Sequence, residues 1–306
     1  SHKKELKAFI RFRFHSIAFI LEIINQLKLA NKIDEIVLSG WDQYRDTYSS
    51  ENYFVTYIIH NLINDLKIIT LNKTSHQVSS TALQYEYFFE NLNLNNKREY
   101  ILFTNLGYNF FRIVLSLKKT RQKILSPLFS QINFFKKIIY KILGVKFIYL
   151  TQIKIKQKKD INLPNLNFKY KDKDLSKVLN FRINEEKNNI INLLNKSIAI
   201  DNLFKKVKVK FVVTNITRGI FGYFVDVANR LRISSICIPH GTLAKNFNDY
   251  DIIYKKTISE AVTSNNATYN ASQSNISKKF FELNKKEYNQ IVNTGNLIFR
   301  NKKKKM

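Results

Sequence analysis

From Val207 onward, short apolar runs rich in β-branched residues alternate with segments of helical spacing. Val209 to Thr214 reads as a strand, and Asn215-Ile216-Thr217 offers capping side chains. A helix is predicted over Arg218 to Leu231, a strand over Ile233 to Pro239 and a helix around Ile252 to Val262. Ala267 to Ala271 is a further strand. Ser272 caps a helix over about Gln273 to Leu283, and Gln290 to Thr294 is a last strand ending at Gly295. Strands that alternate with helices in this way imply βαβ units and a mostly parallel sheet. Four of the seven glycines (Gly219, Gly222, Gly241, Gly295) fall here. In a chain so poor in glycine, each is expected to answer a backbone need.

The N-terminal half carries the same signals more loosely. Residues 3–30 read as a helix, Ile36 to Gly40 as a strand ending in glycine, and Trp41 to Ser50 as a polar loop. A helix over Asn52 to Leu66 leads to a strand at Ile68 to Leu71, making a β-loop-α-β unit; Tyr100 to Phe103 is a third strand. Residues 107–143 read as a long, mostly helical stretch punctuated by Pro127, both apolar and basic. Val145 to Leu150 is a strand, 152–180 an irregular lysine-rich crossover and 182–206 a helix. The expected fold is α/β: a Rossmann-like, mostly parallel sheet flanked by helices over 1–295, with a basic helical insertion near 107–180 and a basic tail at 296–306.

Composition narrows the class. At 44% hydrophobic residues the 306-residue chain can bury a core, which excludes a disordered chain. The single cysteine, Cys237, excludes an internal disulfide and a cysteine-based zinc site. A net charge of +28 attracts nucleic acid, anionic lipid or phosphorylated substrates. Lysine, asparagine and isoleucine are abundant everywhere, however, so part of that charge is composition bias. The apolar residues near the start are interrupted by Arg11, Arg13, His15 and Glu22, which is no secretory pattern. No run reaches the ~18 apolar residues that span a bilayer. A cytoplasmic location is expected, with peripheral attachment to the inner face of the plasma membrane as an option. The stretch 107–143 either lies on an anionic membrane surface or is an ordinary helix with a solvated lysine face.

Three places have the residue types for chemistry. His240, in Ile238-Pro239-His240-Gly241-Thr242, follows an apolar strand, where α/β sheets bind ligands and where a histidine can move protons near neutral pH. The plain alternative is a turn with a solvated histidine. Asn215-Ile216-Thr217-Arg218-Gly219 joins a strand to a helix, where free N–H groups and the Arg218 fork suit an anion; simple capping by Thr217 is the alternative. Trp41 and Asp42 follow an early strand and suit a sugar face and its hydroxyls, or else a packed loop. The signatures G-x-G-x-x-G, G-x-x-x-x-G-K-[ST], H-E-x-x-H and G-x-S-x-G are absent, and the other histidines have no metal-ligand spacing. No metal and no cofactor is expected.

Phe211 to Asn296 resembles the junction region of bacterial surface-polysaccharide glycosyltransferases of the GT-B fold, which have two Rossmann-like domains. The resemblance rests on Val225-Asp226-Val227-Ala228-Asn229, Ile238-Pro239-His240-Gly241-Thr242, Asn270-Ala271-Ser272-Gln273-Ser274 and Val292-Asn293-Thr294-Gly295-Asn296. His240-Gly241-Thr242 with Lys245 is also similar to the His-Gly-Thr motif of CDP-glycerol glycerophosphotransferases of teichoic acid synthesis. Leu297 stands where the first family usually has proline.

The resemblance implies an N-terminal, acceptor-side domain. His240 would be the base, with Gly241, Thr242, Lys245, Asn215, Arg218, Gly219, Trp41 and Asp42 on the substrate side. Gly295 and Asn296 would lead towards a C-terminal donor domain that the sequence does not reach. The implied partners are a nucleotide-sugar donor, bound through that domain, and a glycan or lipid-linked acceptor. The chain alone is then expected to bind donors weakly and to show no turnover. The implied activity is sugar transfer to an acceptor hydroxyl in surface polysaccharide synthesis, or transfer of a polyol phosphate from a CDP-linked donor. A basic nucleic-acid or membrane-surface protein is the non-enzymatic alternative. Nucleic acid is the weaker partner of the two, because the known nucleic-acid modules are absent.

Overall fold

A computed structural model describes residues 20–30, 33–39, 62–71, 83–90, 98–105, 110–118, 120–129, 132–155, 161–162, 165–217, 219–239, 266–284 and 289–295, together with Ile59, Leu92 and Glu287. The chain divides into two compact units, one of His2–Gln84 with Ile155–Asn192, the other of Tyr85–Lys154 with Leu193–Met306.

In the first unit, strands β1 (Glu35–Ser39) and β2 (Lys67–Leu71) pair in parallel, Glu35 opposite Lys67 and Leu38 opposite Thr70. A parallel pair cannot be closed by a tight turn, which agrees with the β-loop-α-β reading. Residues 20–29 are helical, and Leu21 and Ile24 pack with Ile59, Leu62, Ile63, Leu175 and Val178. The small strands β7 (Lys169–Tyr170) and β8 (Lys173–Asp174) form a hairpin. Asn180 clasps the backbone of Leu166 in both directions, accepting from its N–H at 2.8 Å and donating to its carbonyl at 3.0 Å. The crossover expected at 152–180 is thus partly regular.

The second unit is built on one eight-stranded sheet. Its strands are β3 (Tyr85–Glu90), β4 (Tyr100–Phe103), β5 (Ile124–Leu128), β6 (Val145–Lys154), β9 (Val209–Thr214), β10 (Ser235–Cys237), β11 (Tyr269–Ser272) and β12 (Gln290–Asn293), in the spatial order β12-β11-β10-β9-β4-β5-β6-β3. All neighbours are parallel except the edge pair β3 and β6. The chain runs outward from β4 through β5 to β6, then returns to the other side of β4 and runs outward through β9, β10, β11 and β12. This is a doubly wound sheet whose strand order reverses between β4 and β9.

Helices cover both faces, so the inner strands are apolar throughout. β4 shows this directly. Leu102 points into a core with Leu125, Ile148 and Val212, covered by Ile200 and Leu203 of α3 (Ser176–Lys206) and by Phe224 and Val227 of α4 (Gly219–Arg230). Its neighbours Ile101 and Phe103 point the other way, into a core with Ile124, Phe147 and Val213. That core is covered by Phe110 and Val114 of α1 (Phe110–Lys118) and Tyr140 of α2 (Phe134–Ile142). Alternation along the strand places successive side chains on opposite faces. A fifth helix, α5 (Asn275–Asn284), joins β11 to β12.

Two expectations change here. The stretch 107–143 is not one helical run, because Ile124-Leu125-Ser126-Pro127-Leu128 is a buried strand between α1 and α2. With β6 it belongs to the sheet itself, so 107–180 is not a helical insertion. Pro127 is tolerated in this interior strand because pairing with β4 ends at Leu125, and only β6 continues beside it. Tyr85–Glu90, unassigned in the sequence reading, is the antiparallel edge strand. The helix expected over Ile252 to Val262 lies outside the described residues. Among the described residues no helix is long and apolar enough to cross a membrane.

Candidate functional site

Open α/β sheets bind ligands outside the carboxyl ends of their strands, at the point where strand order reverses. Here that point lies between β4 and β9. The same dipeptide stands at both strand ends: Thr104-Asn105 follows β4, and Thr214-Asn215 begins with the last residue of β9. The register sets Phe103 opposite Val213, so the two dipeptides leave the sheet side by side. The Thr104 N–H still bonds to the Val213 carbonyl at 2.9 Å.

The two threonines are buried and form a relay. Thr104 Oγ1 donates to Thr214 Oγ1 at 2.9 Å, and Thr214 Oγ1 donates to the Ile216 carbonyl at 2.7 Å. The second bond folds the chain tightly after the strand, since a threonine hydroxyl can mimic a backbone turn partner. One residue further out, Asn105 Nδ2 donates to Asn215 Oδ1. A buried hydroxyl pair is thus followed, one residue further out, by an amide pair.

The chain then enters α4. Gly219, its first residue, has φ +54°, a left-handed conformation that side chains disfavour. Gly222 is fixed by a close approach: a Cβ there would stand 2.5 Å from the Thr217 carbonyl oxygen. The Thr217 carbonyl can approach the first turn of α4 this closely only because position 222 has no side chain. The helix therefore begins beside the ends of β4 and β9.

The neighbouring strand ends continue the polar edge. The Ile238 N–H bonds to the Thr214 carbonyl at 2.7 Å. Gln273, just past β11, donates its side-chain amide to the Pro239 carbonyl at 2.5 Å and so holds the residue immediately before His240. Ser274 and Ser277 cap α5 reciprocally, the Ser277 N–H to Ser274 Oγ at 3.1 Å and the Ser274 N–H to Ser277 Oγ at 3.0 Å. Ser274, not the expected Ser272, is the capping residue. Thr294 binds the Ser272 carbonyl through both its N–H, at 2.9 Å, and its hydroxyl, at 3.1 Å. Gly295 follows with φ +61°.

Of the residues singled out in the sequence, Asn215, Gly219 and Gly295 are placed at this edge. His240, Gly241, Thr242, Lys245, Arg218 and Asn296 lie outside the described residues, as do Trp41 and Asp42, which fall in the sequence range of the first unit. Thr104 and Asn105 were not singled out, and Gln273 entered only as part of the motif Asn270-Ala271-Ser272-Gln273-Ser274, with no role. The repeated Thr-Asn after two apolar strands is the sequence signal that points to the first two.

Cys237, on β10, is fully buried, and burial pushes its thiol up to about 12. It is a small core residue and no nucleophile at neutral pH. Among the described residues no three His, Cys, Asp or Glu side chains are grouped as a metal site would require. What the described edge offers is the amide groups of Asn105 and Asn215 beside a buried hydroxyl pair, and amides of this kind suit an uncharged hydroxyl-rich ligand. A scan against protein-family models finds no match to this chain, and a search of curated proteins finds none either.

Proposed function

We propose that the second unit is the acceptor-binding part of a transferase that moves a sugar from a nucleotide-sugar to an acceptor hydroxyl. One observation carries the reading: the strand order reverses between β4 and β9, and polar pairs from both strand ends meet there. Asn105 and Asn215 supply amide groups to hydroxyls of the bound molecule. His240, next in sequence to the anchored Pro239, takes the proton of the attacking hydroxyl. The acceptor oxygen bonds to the anomeric carbon, the bond from that carbon to the donor phosphate breaks, and the nucleotide leaves with the electron pair. Positioned base catalysis of this kind is worth roughly 10²–10⁴-fold in rate.

The test is a transfer assay on the full-length protein, using radiolabelled UDP-, GDP- and CMP-sugars and CDP-glycerol with cell-envelope glycan as acceptor. Incorporation of a sugar, lost in His240→Ala and reduced in Asn215→Ala, is the expected result. Incorporation of glycerol phosphate alone would replace the sugar donor by a CDP-polyol. Transfer that His240→Ala leaves at the wild-type rate would overturn the assigned role.

A further inference from the structure

Helix α2 (Phe134–Ile142) turns the wrong face to the protein. Only Tyr140 is buried among its nine residues. Phe134 and Ile142 are each 68% exposed and Phe135 is 74% exposed; Ile138 and Ile139 are exposed too. At 100° per residue these five lie within one arc of the helix, spaced i, i+1, i+4, i+5 and i+8. Lys136 borders the arc on one side and Lys141 on the other, both exposed, while Lys137 folds back over the Tyr149 ring at 4.7 Å. The neighbouring helix α1 also carries exposed apolar side chains. Phe111 lies 6.1 Å from Tyr140, ring to ring, and is exposed, as is Leu115 one turn further on.

We infer that this face of α1 and α2 docks onto an anionic lipid surface, with α2 lying in the plane of the interface. The exposed apolar arc of α2 marks an interaction site. An interfacial helix has an apolar face buried at the headgroup boundary and long basic side chains along its borders, reaching back to lipid phosphates. Charge selects the occupant. From Tyr100 to Lys159 the chain has thirteen Lys or Arg and no Asp or Glu. A second copy of the same chain would bring lysine against lysine around the patch, which disfavours pairing. An anionic bilayer offers both the apolar layer and the negative charge.

The experiment is co-sedimentation of the full chain with phosphatidylcholine vesicles and with vesicles containing phosphatidylglycerol. Binding is expected only to the second kind, and it should weaken as salt is raised. Phe134→Ser with Phe135→Ser should weaken it about ten-fold per phenylalanine. Lys136→Glu with Lys141→Glu should weaken it at least about five-fold per lysine. These side chains are exposed, so thermal unfolding of both variants should match the wild type. Equal binding to both vesicle types, wild-type binding by the variants, or no binding at all overturns the proposal. So does a wild-type dimer that Phe134→Ser with Phe135→Ser dissociates, which would make the face a contact between copies. Binding to single-stranded RNA that the same substitutions abolish would make it a nucleic-acid surface.

Discussion

Asn105 and Asn215 are joined side chain to side chain across the outer ends of β4 and β9, one layer above the buried hydroxyl pair of Thr104 and Thr214. They are 110 residues apart in sequence and meet only because the sheet winds outward from β4 and then returns to its other side. The relay beneath has a direction, and its two ends should respond differently to mutation. Thr104→Val leaves Thr214 still donating to the Ile216 carbonyl. The expected cost is about 1 kcal/mol, that of one lost hydrogen bond. Thr214→Val strands the Thr104 hydroxyl in the core and also releases the turn at Ile216, so it should cost about 2–3 kcal/mol. Urea unfolding of both variants checks the order; equal costs would show that the relay is not directional.

Much of this second half of the sheet is legible in the sequence. β9 and α4 appear where the apolar runs and glycines place them, because Gly219 takes a left-handed φ, Gly222 meets a close backbone approach and the apolar run of β9 is largely buried. β5 is not legible in the same way. Ile124 to Leu128 is a short apolar run between two basic amphipathic helices, and periodicity alone cannot separate a buried strand from a buried helix turn. β3 does carry a signal, since Tyr85-Glu86-Tyr87 alternates as a half-exposed edge strand should. Asn105 is unreadable without topology: nothing local says that the ends of β4 and β9 are neighbours, and only the shared Thr-Asn hints at it. The sequence leaves α2 either on a membrane surface or as an ordinary domain helix, because an apolar helical stripe ordinarily predicts burial and only the fold shows which residues face outward.

Gly222→Ala should be more damaging than Gly219→Ala. At 222 the new methyl group meets the Thr217 carbonyl oxygen at 2.5 Å, so backbone must move. Overpacking of this kind costs about 1–3 kcal/mol. At 219 the space around a Cβ is open and only the left-handed φ resists, at about 1 kcal/mol. Thermal melts of the two variants give the ranking, and the reverse order would mean that the Thr217 carbonyl does not approach Gly222 as described.

Tyr223 donates to Asp201 at 2.8 Å, and Arg230 binds the same carboxylate at 2.6 Å, tying α4 to α3. Tyr223→Phe should cost about 1 kcal/mol and leave the ion pair in place. Burial, then the bond to Asp201, raises the phenol's ionisation range. A group whose folded pKa is raised stabilises the fold below its unfolded pKa and loses that contribution as pH climbs through the folded one. The difference between wild type and Tyr223→Phe should therefore shrink only in alkali, which urea titrations across pH can follow.

Cys237 should be silent towards thiol reagents in the native protein and react once unfolded. Its pKa rises from 9.0 in the open chain to about 12 in the fold. The stability this represents is intact below pH 9 and is lost as pH rises towards 12, by at most about 1.4 kcal/mol per unit. Rapid labelling of native protein at neutral pH would contradict the burial of β10.

Amide hydrogen exchange with and without ligand tests the placement of the site most directly. The full-length protein is incubated with each of the UDP-, GDP-, CMP- and CDP-linked donors and with envelope glycan, and the protected peptides are mapped. Protection should appear in the segments 103–105 and 214–219, with Asn215→Ala removing it. Protection confined to other segments, or an unchanged pattern with every ligand, would contradict a binding site at the β4 and β9 ends.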